Sequence, residues 1–331
     1  MAPQDVVKLC YQAARGAEHL LADTKRAEAM LEAELASVTP EEGALYEQIS
    51  DDVCRVNLAA WRATGMPPPW LFRMFLASCR VREGGEDLLA EYLDRAGAVL
   101  AEGAPFPLAD WEAYLAEYRK AGMPAVRHTE GYRAAERPAY RIVSARICRA
   151  LPILLAVAAH KEDAPCVIAI DGRCASGKST LAEGLATVLD GDLIHMDDFF
   201  VPPALRSEER FRTPGENIHH ERFCEEVLPH VKRNAPFAYR IFDCGRMDYH
   251  GMREIGARPF RIVEGSYSTH SHFGRYADIT VFSDVAGDVQ RERILARDGE
   301  AMLRNFVTRW IPMEEAYFAH YQIRDRVTVT V

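Results

Sequence analysis

Residues 166 to 189 read CVIAIDGRCASGKSTLAEGLATVL, and few stretches of polypeptide restrict a fold so tightly. The apolar run Cys166 to Ile170 suits a strand buried on both faces. It leads straight into Gly172-x-x-x-x-Gly177-Lys178-Ser179 and then into an amphipathic helix. Strand, glycine-bearing turn and helix in that order form a phosphate cradle. Glycine admits backbone conformations closed to residues with a Cβ, so successive N–H groups can turn inward around a β-phosphate. The helix that follows adds its unpaired amides and the positive end of its dipole. Lys178 places a point charge near the β- and γ-phosphates, and the Ser179 hydroxyl can ligate the magnesium ion that bridges them. The expected ATP-binding set is Gly172, Ala175, Ser176, Gly177, Lys178, Ser179 and Thr180. Cys174, inside the loop, reads as a small tolerated side chain rather than a redox switch.

A chain of 331 residues has room for two domains. Its net charge of −9 offers no general attraction for nucleic acid or an anionic membrane, so neither is expected as a partner. The eight cysteines, at 10, 54, 79, 148, 166, 174, 224 and 244, form no C-x-x-C pair and no Cys/His cluster at zinc spacing, which suits reduced thiols in a cytosol. Asp5, Lys8 and Arg15 interrupt the N-terminus before a signal sequence can form, and the apolar run Ala150 to Ala159 is too short to span a bilayer. A soluble cytoplasmic protein is the expectation.

Residues 1 to 125 read as an all-helical domain whose function the sequence does not assign. Apolar residues from Val6 to Leu35 recur at helical spacing, with a break near Asp23. Thr39-Pro40-Glu41-Glu42 carries the signature of a helix start. Further helices are expected near 70 to 82, 86 to 102 and 108 to 121. Residues 126 to 164 read as a basic helical connector, with arginines at 127, 133, 137, 141, 146 and 149. They suit a solvated face, or some of them line the anion site. Lys161 to Pro165 marks the boundary.

Beyond Pro165, short apolar runs alternate with helical stretches. Strands are expected at 166–170, 192–195, 239–242, 260–263, 279–282 and 327–331, as in a parallel sheet flanked by helices. The strand ending at His195 is followed by Met196-Asp197-Asp198-Phe199-Phe200. This puts two carboxylates at the edge where α/β proteins bind ligands, suited to a general base or to turn capping. Glu264 closes another strand, where an acid can hold magnesium or serve structure. Arg293 and Arg297 share a helix face and could close over a transferring phosphate, or lie on the surface.

Taken in order, IDGRCASGKST, HMDDFF, GENIHHERF, FDC, VEGSY and RERILARD make residues 165 to 331 resemble the uridine kinase and phosphoribulokinase group of P-loop kinases. The resemblance implies a P-loop NTPase fold, ATP and Mg²⁺ as cofactors, and a small-molecule alcohol, nucleoside-like or other, as phosphate acceptor. It matches Asp197 to the catalytic aspartate, Lys178 and Ser179 to the ATP and magnesium residues, and Glu264 to the second acidic motif. Arg293 and Arg297 look like the lid arginines, with their spacing lengthened by one residue. Asp197, Phe199, Asn217, His219 and Asp243 form the implied acceptor side, and Arg246 is a further substrate-side candidate from its own chemistry.

The sequence departs from the group after Phe242-Asp243, where Cys244-Gly245-Arg246-Met247 lacks the expected histidine. Arg246 would favour an acceptor bearing a carboxylate or phosphate, or lie exposed. The lid stretch Asn305 to Tyr317 also differs. An ATP-dependent small-molecule kinase is therefore expected. The competing reading is a nucleotide-dependent switch whose helical half binds a protein partner. Oligomeric state is not legible.

Overall fold

The computed structural model describes residues 1–16, 23–79, 85–160 and 165–331. The polar boundary at 161–164 lies outside the described residues. The chain divides into two compact units, Met1–Cys148 and Arg149–Val331.

In the first unit, α1 (Pro3–Arg15) is followed by α2 (Thr24–Ser37). Asp23, at the expected break, caps α2 by accepting a hydrogen bond from the Arg26 amide at 3.0 Å. Next come β1 (Tyr46–Ser50), β2 (Val53–Asn57), α3 (Leu58–Thr64), α4 (Pro68–Ser78), α5 (Gly85–Glu102), α6 (Leu108–Lys120), α7 (Glu130–Glu136), β3 (Tyr140–Ser144) and α8 (Ala145–Cys148). Leu89, Leu93 and Trp111 join Val7 and Tyr11 in one buried cluster, so α1, α5 and α6 pack as amphipathic faces.

The unit is predominantly helical but not all-α. β1, β2 and β3 form an antiparallel sheet in that order. No helix starts at Thr39: the described residues 38–45 are non-helical and run into β1. The capping signature lost because no apolar helical face follows it, whereas Val53, Cys54 and Val56 bury themselves in β2. The expected helical connector likewise contains a strand, since β-branched Ile142 and Val143 pair with β2 and are buried.

The second unit comprises α9 (Leu151–Ala159), β4 (Cys166–Gly172), α10 (Lys178–Leu189), β5 (Asp192–His195), α11 (Glu208–Arg212), α12 (His220–Glu226), β6 (Phe237–Asp243), β7 (Asp248–Ile255), β8 (Phe260–Glu264), β9 (Ile279–Ser283), α13 (Gly287–Asn305), α14 (Ile311–His320), α15 (Ile323–Arg326) and β10 (Val329–Thr330). A five-stranded parallel sheet runs β10-β9-β4-β8-β5. β4 is buried along its whole length, as a central strand covered on both faces must be. α9 packs against β9 and β10, and α10 against β8, β4 and β5.

The strand expected at 239–242 does not join this sheet. It lies in β6, which pairs with β7 as a separate antiparallel hairpin, because the short turn after Asp243 returns the chain on itself. α13 breaks at Gly299 (φ +78°), a backbone setting favourable to glycine.

Candidate active site

Parallel strands direct all their carboxyl ends to one edge, and three of those ends build the site. In register, Glu264 of β8 stands between Ile170 of β4 and His195 of β5. The chain leaves β4 for β5 on one side of the sheet and leaves β8 for β9 on the other, which opens a crevice at that edge.

The loop between β4 and α10 has the backbone a phosphate cradle needs. Gly172 (φ +132°) and Gly177 (φ +91°) take conformations that favour glycine, and Ala175 (φ +57°) is held left-handed despite its Cβ. A Cβ on Gly172 would come within 2.1 Å of the Ser283 carbonyl oxygen. Lys178 opens α10 and donates to the Gly172 and Arg173 carbonyls at 2.8 and 2.7 Å, so its ammonium is fixed at the loop. Ser176 is buried, and its hydroxyl has no hydrogen-bond partner among the described residues. Ser179 is exposed and Thr180 half-buried in the first turn of α10.

Residues the sequence reading passed over hold this loop. Asp171 is wholly buried and accepts from the amides of Gly172 (2.7 Å), Tyr267 (3.0 Å) and Thr269 (3.0 Å) and from the hydroxyls of Thr269 (2.6 Å) and Tyr317 (2.8 Å). Glu314 of α14 accepts from the Cys174 amide at 2.9 Å and from the Ser266 hydroxyl at 2.6 Å. Gln290 donates to the Cys174 carbonyl at 2.9 Å. Burial and then the Glu314 carboxylate push the Cys174 thiol up to about 12, which keeps it protonated and inert. Local signals were weak: an acid beside the first loop glycine hinted at Asp171, whereas Gln290 and Glu314 come from elements more than a hundred residues downstream.

The acids divide their roles. Ser179 Oγ donates to Glu264 Oε2 at 3.0 Å, and His195 Nδ1 lies 2.6 Å from Glu264 Oε1. That hydrogen bond raises the His195 pKa above its ordinary value. Asp198 is buried and bound by Tyr239 Oη (2.9 Å) and Arg253 Nε (2.8 Å), which makes it structural. Its neighbour Asp197 makes no hydrogen bond among the described residues. Asp197 opens to solvent yet is densely surrounded by protein, the setting of a group at a cleft mouth; desolvation, followed by the Glu264 charge, raises its pKa.

The remaining expected residues scatter. Phe199 has no exposed surface and packs against Phe223 and Tyr239, with the Arg222 guanidinium 4.2 Å from its ring centre. It is therefore a core residue rather than a substrate contact. Asn217 is buried, and its Oδ1 has no partner among the described residues. His219 is half-buried, with its Nδ1 3.5 Å from the Tyr249 hydroxyl, and burial lowers its pKa. Asp243 Oδ1 accepts from the amides of Gly245 (2.7 Å) and Arg246 (3.2 Å), shaping the hairpin turn. Arg246 is exposed and lies 3.6 Å from that same carboxylate and 3.3 Å from His250.

Arg293 Nη1 donates to the Ala175 carbonyl at 3.2 Å. Arg297 pairs with Asp298 at 2.8 Å, which raises its pKa, with a lesser contribution from the Asp197 charge. Arg149, at the head of the second unit, donates to the Ser176 carbonyl at 3.2 Å and to the Ser283 hydroxyl at 3.4 Å.

The donor set suits the expected groups. The orphaned Ser176 hydroxyl and the left-handed loop residues fit a bound triphosphate, and the hydroxyl and carboxylate oxygens of Ser179 and Glu264 are hard donors of the kind magnesium takes. Sheet, loop and acids together define the second unit as a P-loop α/β fold. No family model matches the chain, and no curated protein matches it. Among solved structures, the chain is similar to one from Bacillus stearothermophilus described as a possible uridine kinase: 21% identity, 56% of this chain, 96% of the other and TM-score 0.44. It is also similar to one from Silicibacter sp. TM1040 described as a candidate fructose transport system kinase: 20% identity, 56% of this chain, 98% of the other and TM-score 0.46.

Proposed function

We propose that the second unit is an ATP-dependent, magnesium-requiring kinase that transfers the γ-phosphoryl group to a hydroxyl of a small acceptor, nucleoside-like or another alcohol. The observation that carries this reading is the Asp197 carboxylate, which has no hydrogen-bond partner among the described residues and feels the charges of Glu264 and Lys178 at the sheet edge.

Magnesium, held by Ser179 and Glu264, would supply charge neutralisation at the phosphate oxygens. The rest belongs to the chain. Loop amides and Lys178 orient the triphosphate, and Asp197 accepts the hydroxyl proton as the acceptor oxygen bonds to the γ-phosphorus and the bond from that phosphorus to the bridging oxygen breaks, releasing ADP. A carboxylate whose pKa is raised is the better base, because its proton affinity lies closer to the working pH. Arg293 and Arg297 stabilise charge as it moves. Little covalent chemistry is asked of the protein, so positioning dominates.

The test is ATP turnover by purified protein against nucleosides, sugar acids and vitamin-like alcohols, with and without magnesium. Acceptor-dependent ADP formation that Asp197→Asn abolishes supports the reading. ATP binding without turnover on any acceptor contradicts it and favours the nucleotide switch.

A further inference from the structure

Arg149 lies outside the phosphate-loop pattern, seventeen residues before its strand begins, yet it reaches the loop. Nη1 bonds the Ser176 carbonyl at 3.2 Å, and a Cβ on Gly177 would sit 3.3 Å from the same atom. Nη2 lies 3.4 Å from the Ser283 hydroxyl, at the end of the neighbouring strand β9. The guanidinium therefore bridges the loop and the strand that Gly172 abuts.

Charge makes this contact informative. Arg149 has no carboxylate partner among the described residues; its hydrogen bonds go to neutral oxygens. Arg293 is in the same position, with its Nη1 on the Ala175 carbonyl. The two cations are close enough that Arg293, after burial, depresses the Arg149 pKa. Two like charges held beside residues 175–177, neither paired with a carboxylate among the described residues, repel each other, and an anion relieves that cost. The Ser176 carbonyl accepts from Arg149, and in a trans peptide the Gly177 amide faces the opposite way.

We propose that Arg149 is a positioning residue of the nucleotide site: it fixes the Ser176–Gly177 peptide and, paired with Arg293, supplies uncompensated positive charge that selects a nucleoside polyphosphate over a monophosphate. This rests on the nucleotide-binding reading above. Lysine in its place keeps the charge but lacks the planar fork that spans both oxygens.

The experiment is calorimetric titration of MgATP and of AMP into the full-length parent, Arg149→Gln and Arg149→Lys. Arg149→Gln removes the charge and its hydrogen bonds to the loop and is expected to weaken MgATP about tenfold or more. AMP should change by less than about twofold, since it lacks the phosphates that the paired charge meets. Arg149→Lys should fall between parent and Arg149→Gln, and the salt dependence of MgATP affinity should flatten in Arg149→Gln only. MgATP affinity in Arg149→Gln within about twofold of the parent, or equal weakening of MgATP and AMP, overturns the proposal. Absence of MgATP binding by the parent overturns both readings together, whereas parental binding that Arg149→Gln leaves intact overturns this one alone.

Discussion

Ser179 and Glu264, 85 residues apart in sequence, meet through a hydrogen bond of 3.0 Å from the serine hydroxyl to the carboxylate. The pairing places two hard oxygen donors, of the kind that would hold magnesium, at the head of α10 and the end of β8.

Glu264→Gln keeps the shape of the side chain and removes its charge. We expect the magnesium concentration for half-maximal activity to rise about 10- to 100-fold, with metal-free nucleotide binding little changed. Magnesium titration of turnover checks this. An unchanged magnesium requirement would remove Glu264 from the metal's surroundings.

The same substitution should change how stability depends on pH. The Glu264 hydrogen bond raises the folded-state pKa of His195 above 6.5, so its contribution is complete below the unfolded value and fades as pH rises through the folded one. The stability gap between parent and Glu264→Gln should therefore narrow from below pH 6.5 upward. Urea midpoints across that range measure it, and a gap that widens would contradict the assignment.

Asp197 carries the opposite sign. Its folded-state pKa lies above 3.8, so the folded chain holds its proton more tightly than the unfolded chain does, and ionisation at neutral pH favours unfolding. Asp197→Asn should raise stability at pH 7, with the gain disappearing as pH falls below the unfolded value. If Asp197 is the general base, the same variant should lose turnover by about 10²- to 10⁴-fold. Paired thermal melts and rate assays read both effects; lower stability at pH 7 would sink the first, and retained turnover the second.

Beneath the loop, Asp171 satisfies donors from Gly172, Tyr267, Thr269 and Tyr317. Asp171→Ala orphans several buried groups, each costing about 1–3 kcal/mol, so a loss of more than about 3 kcal/mol is expected from denaturant unfolding. A loss under about 1 kcal/mol would show that other groups or water replace the carboxylate.

What was legible in the sequence was what is local. The cradle from Cys166 to Ser179, with its alternation of buried strand, glycines and helix, is written in consecutive residues. Asp197 and Glu264 stood out because they lie at or just past the ends of strand-like runs. The β1-β2-β3 sheet was not, since β2 and β3 pair across more than eighty residues and exposed β1 shows no apolar alternation. Phe199 reads like a substrate contact because its neighbours do, but burial is a property of the packed chain. The helices of the first unit were readable from their apolar spacing, whereas the ties from Glu314, Gln290 and Arg149 to the loop depend on tertiary placement alone.

The most direct measurement is calorimetric titration of MgATP into the parent and Lys178→Ala proteins. Saturable one-to-one binding by the parent is expected, weakened about 10- to 100-fold when the ammonium is removed, from the worth of hydrogen bonds to a charged group. A parent that takes up no MgATP, or a Lys178→Ala protein with unaltered affinity, would contradict it.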